Sequence, residues 1–201
     1  MNKLLSVFSY IFHPLFISVY AVLLYFFLTD RFHLYQEFFL IIIQVLILTI
    51  LIPISVFYFL ISIGKANNIM LSKVEQRKIP LSINCVLLLL LIEKSLKSEF
   101  IPELYFFFFG ALVSSVLLLL MTFVKLKASI HMVGMSALAV FTIGMSLKTQ
   151  TNHLYLIATF LFLTGLVASS RLVMKAHSGL ELTAGFFTGL LPQFLLLYFW
   201  I

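Results

Sequence analysis

Apolar stretches of membrane-crossing length recur along this chain from one end to the other. They lie at about 4–28, 37–63, 81–97, 101–124, 129–147, 153–172 and 179–201. A hydrocarbon core about 30 Å thick needs about 20 apolar residues per helix, and the backbone inside it must satisfy its own hydrogen bonds. The pattern predicts an all-α, polytopic transmembrane helical bundle of about seven spans. The third stretch is the weakest. Its clean run is Leu81 to Ile92, with Asn84 inside it and Glu93, Lys94 and Lys97 after it, so six spans remain if it does not cross. A β-barrel would show short segments of alternating polarity, and none occurs.

Composition excludes the main alternatives. Of the 201 residues, 63% are hydrophobic and 10% charged, against about 45–50% and about 25% in an ordinary soluble domain. A soluble globule could not bury that much apolar surface. Disorder and a disulfide scaffold are excluded too; Cys85 is the single cysteine. A net charge of +6 would suggest nucleic acid in a soluble chain. Here it implies loops facing anionic headgroups or an anionic substrate, and no nucleic acid. The first stretch exceeds the 7–15 residues, roughly, of a signal-peptide core, and no small-residue cleavage site follows, so it reads as a retained first membrane helix. The aromatic run Tyr105 to Phe109 reads as lipid-facing filler. Gly134, Gly144, Gly165, Gly185 and Gly189 suit close helix packing, with Gly185 and Gly189 as a GxxxG pair. The linkers leave no room for a soluble domain, so residues 1–201 read as one membrane domain.

Seven spans place the linkers on alternate sides. Lys3, Lys65, Lys73, Arg77, Lys78, Lys125, Lys127, Arg171 and Lys175 then share the N-terminal side, with Arg31, Lys94, Lys97 and Lys148 opposite. The positive-inside rule alone would put the richer side in the cytoplasm. That rule counts charges without another role, and several of these have one.

Ionisable groups near membrane depth are costly, so each marks a candidate site. The sharpest cluster is Ser170-Arg171-Leu172-Val173-Met174-Lys175-Ala176-His177-Ser178-Gly179-Leu180-Glu181. A second is Lys125-Leu126-Lys127-Ala128-Ser129-Ile130-His131, and a third runs from Lys73 to Pro80. All three fall on one side. His177 and Glu181 are spaced to share a helix face. A carboxylate on one imidazole nitrogen fixes the tautomer and leaves the other free and nucleophilic. Arg171 can fork onto two phosphate oxygens. Helix starts near Ser129 and Ser178 would offer backbone N–H groups to an anion. His131 could protonate a leaving alkoxide. His13, His33 and His153 read as interfacial or loop residues, Asn67 and Asn68 as helix caps, and Lys125 as a snorkelling cation.

These segments resemble the three signatures of the type-2 phosphatidic acid phosphatase superfamily. Ser170-Arg171, His177 and Glu181 resemble the third (Ser-Arg, five residues, His, three residues, Asp). Ala128-Ser129-Ile130-His131 resembles the second, Pro-Ser-Gly-His. The Lys73 to Pro80 run resembles the first, a Lys six residues before Arg-Pro. The likeness covers about residues 64–201, with 1–63 as additional N-terminal helices. It departs in Glu181 for Asp, Ile130 for Gly and Ala128 for Pro. In the first signature Lys73 stands four residues before Arg77 rather than seven, and Pro80 three after it rather than one.

The resemblance implies an integral membrane lipid phosphatase that hydrolyses a lipid phosphomonoester or pyrophosphate through a phosphohistidine. By it, His177 is the nucleophile, Glu181 orients it, and His131 is the general acid. Arg171, Arg77, Lys73 and Ser129 hold the phosphate. Lys127 either snorkels or stands in for the displaced lysine. The family uses no metal or other cofactor. Phosphatidic acid, phosphatidylglycerol phosphate, a polyprenyl pyrophosphate or a phosphorylated glycolipid anchor all fit as substrate. The expected location is the bacterial inner membrane, with the site on the periplasmic face. The departures also fit an inactive relative that binds or transports a lipid phosphate.

Overall fold

The computed structural model describes residues 2–29, 35–65 and 74–201. Lys73, Met70, Asn67, Asn68, Arg31 and His33 lie outside the described residues. The described chain is all-helical: α1 (Asn2–Ile11), α2 (Pro14–Leu28), α3 (Tyr35–Leu46), a π-helical turn (Ile47–Leu51), α4 (Ile52–Ser62), a 3-10 turn (Val74–Arg77), α5 (Lys78–Ser95), α6 (Pro102–Phe123), α7 (Ile130–Thr149), α8 (Leu154–Val173), α9 (Gly179–Leu196) and a closing 3-10 turn (Leu197–Phe199).

Five helices among the described residues are long and apolar enough to cross a membrane, and six if α1 and α2 together make one span. The count falls short of the expected seven for a local reason. Lys78, Glu93 and Lys94 bracket α5 and shorten its uncharged interior.

The first apolar stretch is not one straight helix. α1 and α2 meet at 67°. The residue before a proline is driven out of the helical region, and His13, before Pro14, is extended at φ −65°, ψ 140°. Pro14 then starts α2, where its missing N–H costs nothing. A second proline shapes α3–α4. The ring of Pro53 would collide with the carbonyl four residues back. The backbone there widens, and Ile52 N–H bonds the Ile47 carbonyl instead.

α7 is the central helix. Of its span 72% is buried inside the protein, against 22–39% in the other spans. α9, α8, α2 and α6 pack around it, α5 lies on α6, and α1 lies on α8. Between helices in lipid, close packing replaces the hydrophobic drive of water, and small residues let backbones approach. A Cβ on Gly185 would strike the Ser129 backbone, and one on Gly189 the Val133 carbonyl. The GxxxG pair is the α7–α9 contact. The Tyr105 to Phe109 run is only partly filler. Phe107 and Phe108 are 2% and 0% exposed, and Phe107 packs on Phe141 with ring centres 4.8 Å apart.

Candidate functional site

Local sequence builds the centre of the site. Ser178 ends the α8–α9 loop in extended backbone and caps α9. Its hydroxyl accepts from Glu181 N–H at 3.3 Å, and Glu181 Oε2 accepts from Ser178 N–H at 3.3 Å. This reciprocal capping box folds the Glu181 side chain back over the first helical turn. The same Oε2 lies 2.7 Å from His177 Nδ1. One glutamate oxygen thus closes the box and meets the imidazole together. The carboxylate fixes the proton on Nδ1. Nε2 of His177, with no protein partner among the described residues, is then the basic nitrogen.

Long-range bonds gather the other segments here. Arg77 Nη1 donates to the Ala128 carbonyl at 2.9 Å. Lys127 Nζ donates to the Ala176 carbonyl at 2.9 Å and lies 3.6 Å from Glu181 Oε2. Ser129 N–H donates to the Glu181 carbonyl at 3.0 Å. The ends of α6 and α8 and the starts of α5, α7 and α9 therefore meet, bringing Arg77, Lys127, Ser129, His131, Arg171, His177 and Glu181 together. Lys125 stays exposed. His153 remains beside Thr151 at the far end of α7.

Two details narrow the expectations. At the starts of α7 and α9 the N–H groups of the cap residues Ser129 and Ser178 are already taken, because Glu181 accepts from both. Of the two roles open to Lys127, the structure shows it tied to Ala176 and Glu181.

The residues 1–63 are also more than an addition. Ser9 of α1 bonds Ser170 through the two hydroxyls at 2.6 Å. Its carbonyl lies 3.1 Å from His131 Nε2. A carbonyl only accepts, so that nitrogen carries the proton and Nδ1 of the neutral ring is the one without it. His13 sits edge-on to His131 with ring centres 5.3 Å apart. Sequence reading missed Ser9 and His13. The one available signal was a histidine beside the proline that breaks the helix.

Electrostatics favour an anion. Arg171 is 5% exposed, its Nε has no hydrogen-bond partner, and it has no ion pair among the described residues. A buried cation left so is expensive unless a ligand supplies the counter-charge. Ser129 Oγ is likewise fully buried and unpartnered. In the α8–α9 loop, burial lowers the His177 pKa to about 4; the Glu181 hydrogen bond opposes this, while Lys127, Arg77 and Arg171 add to it. The imidazole is thus neutral at pH 7.

A cavity of about 200 Å³ opens from this cluster. One water occupies on the order of 10–15 Å³ of such space, so a larger ligand fits. His13, Arg77, His131, Arg171 and His177 line one end. From there the cavity follows α6 from Leu118 past Ser114 and Ala111 to Phe107, roughly 16 Å at about 1.5 Å rise per residue. One end suits an anion, and the rest, mostly apolar with Thr49, Asn84, Ser114 and Ser115 among its lining, suits a largely apolar chain. Among the described residues no group of three His, Cys, Asp or Glu side chains is placed to hold a metal ion. Compared with protein-family models, curated proteins and solved structures, the chain matches none of them.

Proposed function

We propose that this chain is an integral membrane phosphatase acting on a lipid phosphomonoester or pyrophosphate. The observation that carries the reading is the Glu181–His177 pair, in which His177 lines a cavity with a cationic end and a mostly apolar remainder. Nε2 attacks phosphorus, and the bond from phosphorus to the leaving oxygen breaks. His131 enters as the imidazolium, its Nε2–H held by the Ser9 carbonyl, and gives its Nδ1 proton to the leaving alkoxide. Water then attacks the phosphohistidine, His131 takes its proton, and phosphate leaves. Arg171 and Arg77 offset the charge on the phosphoryl oxygens, with Ser129 and Lys73 as further ligands. Lys127 acts on the Glu181 side of the site.

The bilayer reading goes with it. α2 and α5 complete about seven passes, the site lies on the N-terminal side, and a lipid reaches it with its tail along α6. The bacterial inner membrane is the location proposed, with the site facing the periplasm.

Binding or transport of a lipid phosphate without cleavage is a second reading. It is favoured by the Ser129 N–H, which is already bonded to Glu181 rather than held open for a phosphate.

Phosphate release from a panel of lipid phosphates by the detergent-purified protein, with chelator present, separates the two. The proposal expects release that His177→Ala abolishes. Saturable lipid-phosphate binding without release from a folded wild type would establish the second reading instead.

A further inference from the structure

His13 belongs to none of the segments from which the phosphatase reading was built, yet it lines the same cavity end as Arg77, His131, Arg171 and His177. The break between α1 and α2 puts it there. Pro14 forces His13 into extended backbone, and that geometry makes it the N-cap of α2. Its Nδ1 accepts the Leu15 backbone N–H at 3.4 Å. A nitrogen that accepts carries no proton, so the neutral ring has its hydrogen on Nε2. Nε2 has no protein partner among the described residues. The edge-on packing against His131, 5.3 Å between ring centres, holds the imidazole beside the proposed general acid. One cavity end thus contains an oriented N–H donor with no protein acceptor among the described residues, beside the buried guanidinium of Arg171, whose Nε is unpartnered.

We propose that His13 is a further substrate-binding residue, donating its Nε2–H to a phosphoryl oxygen on the His131 side of the site. The ligand chemistry is a phosphate group, free or as a lipid headgroup. A neutral donor suits the position. It adds a hydrogen bond to the phosphate beside Arg171 without adding a further cation to a crowded cationic cluster. The proposal rests on the phosphatase reading for the identity of the cavity's ligand, and its test separates the two.

Two substitutions isolate the donor. His13→Phe keeps an aromatic ring against His131 and removes the N–H. His13→Gln places an amide N–H near the position of Nε2. Both disturb the cap of α2, so the difference between them reports the donor. Binding of inorganic phosphate to the detergent-purified full chain is measured by calorimetry, and turnover is measured on the lipid-phosphate panel. Free phosphate tests the anion alone; the panel tests the headgroup.

The expected result is roughly tenfold weaker phosphate binding in His13→Phe, with KM raised to a similar degree, and recovery of most of both in His13→Gln. Equal binding in wild type and His13→Phe would overturn the role of His13 whether or not the protein turns over lipid. Weakened binding in His13→Phe with no lipid-phosphate release by wild type would uphold His13 while removing the phosphatase reading. Loss in both variants alike, with melting temperatures lowered alike, would assign the effect to the helix cap and overturn the donor.

Discussion

The hydroxyls of Ser9 and Ser170 lie 2.6 Å apart, and they fasten the N-terminal helix to the segment that carries Arg171. Ser9 also presents its carbonyl to His131 Nε2. That carbonyl therefore sets which nitrogen of His131 carries the proton. Ser9→Ala and Ser170→Ala each remove the same bond. Each is expected to lower kcat roughly fivefold to tenfold, the equivalent of about 1 kcal/mol. Residues in one hydrogen bond are not additive, so the double variant should lose little more than either single one. Turnover of all three variants checks this, and full additivity would rule the coupling out.

Glu181 has two separable roles. Glu181→Gln preserves the capping box, which glutamine serves as well as glutamate, but withdraws the charge from His177. The rate should fall between about a hundredfold and about ten-thousandfold, as when the carboxylate orienting a catalytic histidine is made an amide, while the melting temperature holds. Glu181→Asp keeps the charge and loses reach. It should cost about 0.5–2 kcal/mol at the cap, with a smaller loss of rate. Thermal melts run beside turnover assays distinguish the two patterns.

The His177 pKa fixes a pH dependence. Burial, chiefly, takes it from 6.5 to about 4, so the folded state binds its proton less readily than the unfolded chain. The stability this group contributes is complete above pH 6.5 and is lost as pH falls through 4. Histidine NMR, assigned with His177→Gln, should show a midpoint near 4. A midpoint near 6.5 would mean that the imidazole is solvated and not held as described.

The glycines of α9 differ from Gly165 on α8. Gly185→Ala puts a methyl against the Ser129 backbone and Gly189→Ala one against the Val133 carbonyl, whereas a Cβ on Gly165 meets nothing within 4 Å. Each α9 substitution should destabilise by about 1–3 kcal/mol through forced separation of α7 and α9. Gly185→Ala should also disturb the site, since it presses on Ser129. Gly165→Ala should be neutral or slightly stabilising, because alanine forms helix better. Unfolding in detergent reads all three.

What was legible in the sequence is what local geometry dictates. Long apolar runs must be membrane helices, because a backbone in lipid satisfies itself in no cheaper way. His177 and Glu181 meet as their spacing suggests, although His177 precedes the N-cap of α9 and the capping box, not a shared helix face, brings the carboxylate to it. Pro14 ends α1 by an equally local rule, yet the run 4–28 reads in sequence as a single helix, and the break emerged only in the structure. Tertiary structure decided what stands beside these elements. Ser9 reaches His131 across 122 residues and Ser170 across 161, and no periodicity encodes such partners. Only the packing of α1 on α8 selects them. The same packing fixes the tautomer of His131, draws His13 into the cavity and gives the Ser129 N–H to Glu181. A hydrogen-bond donor in a chain has many possible acceptors, and the fold leaves it one.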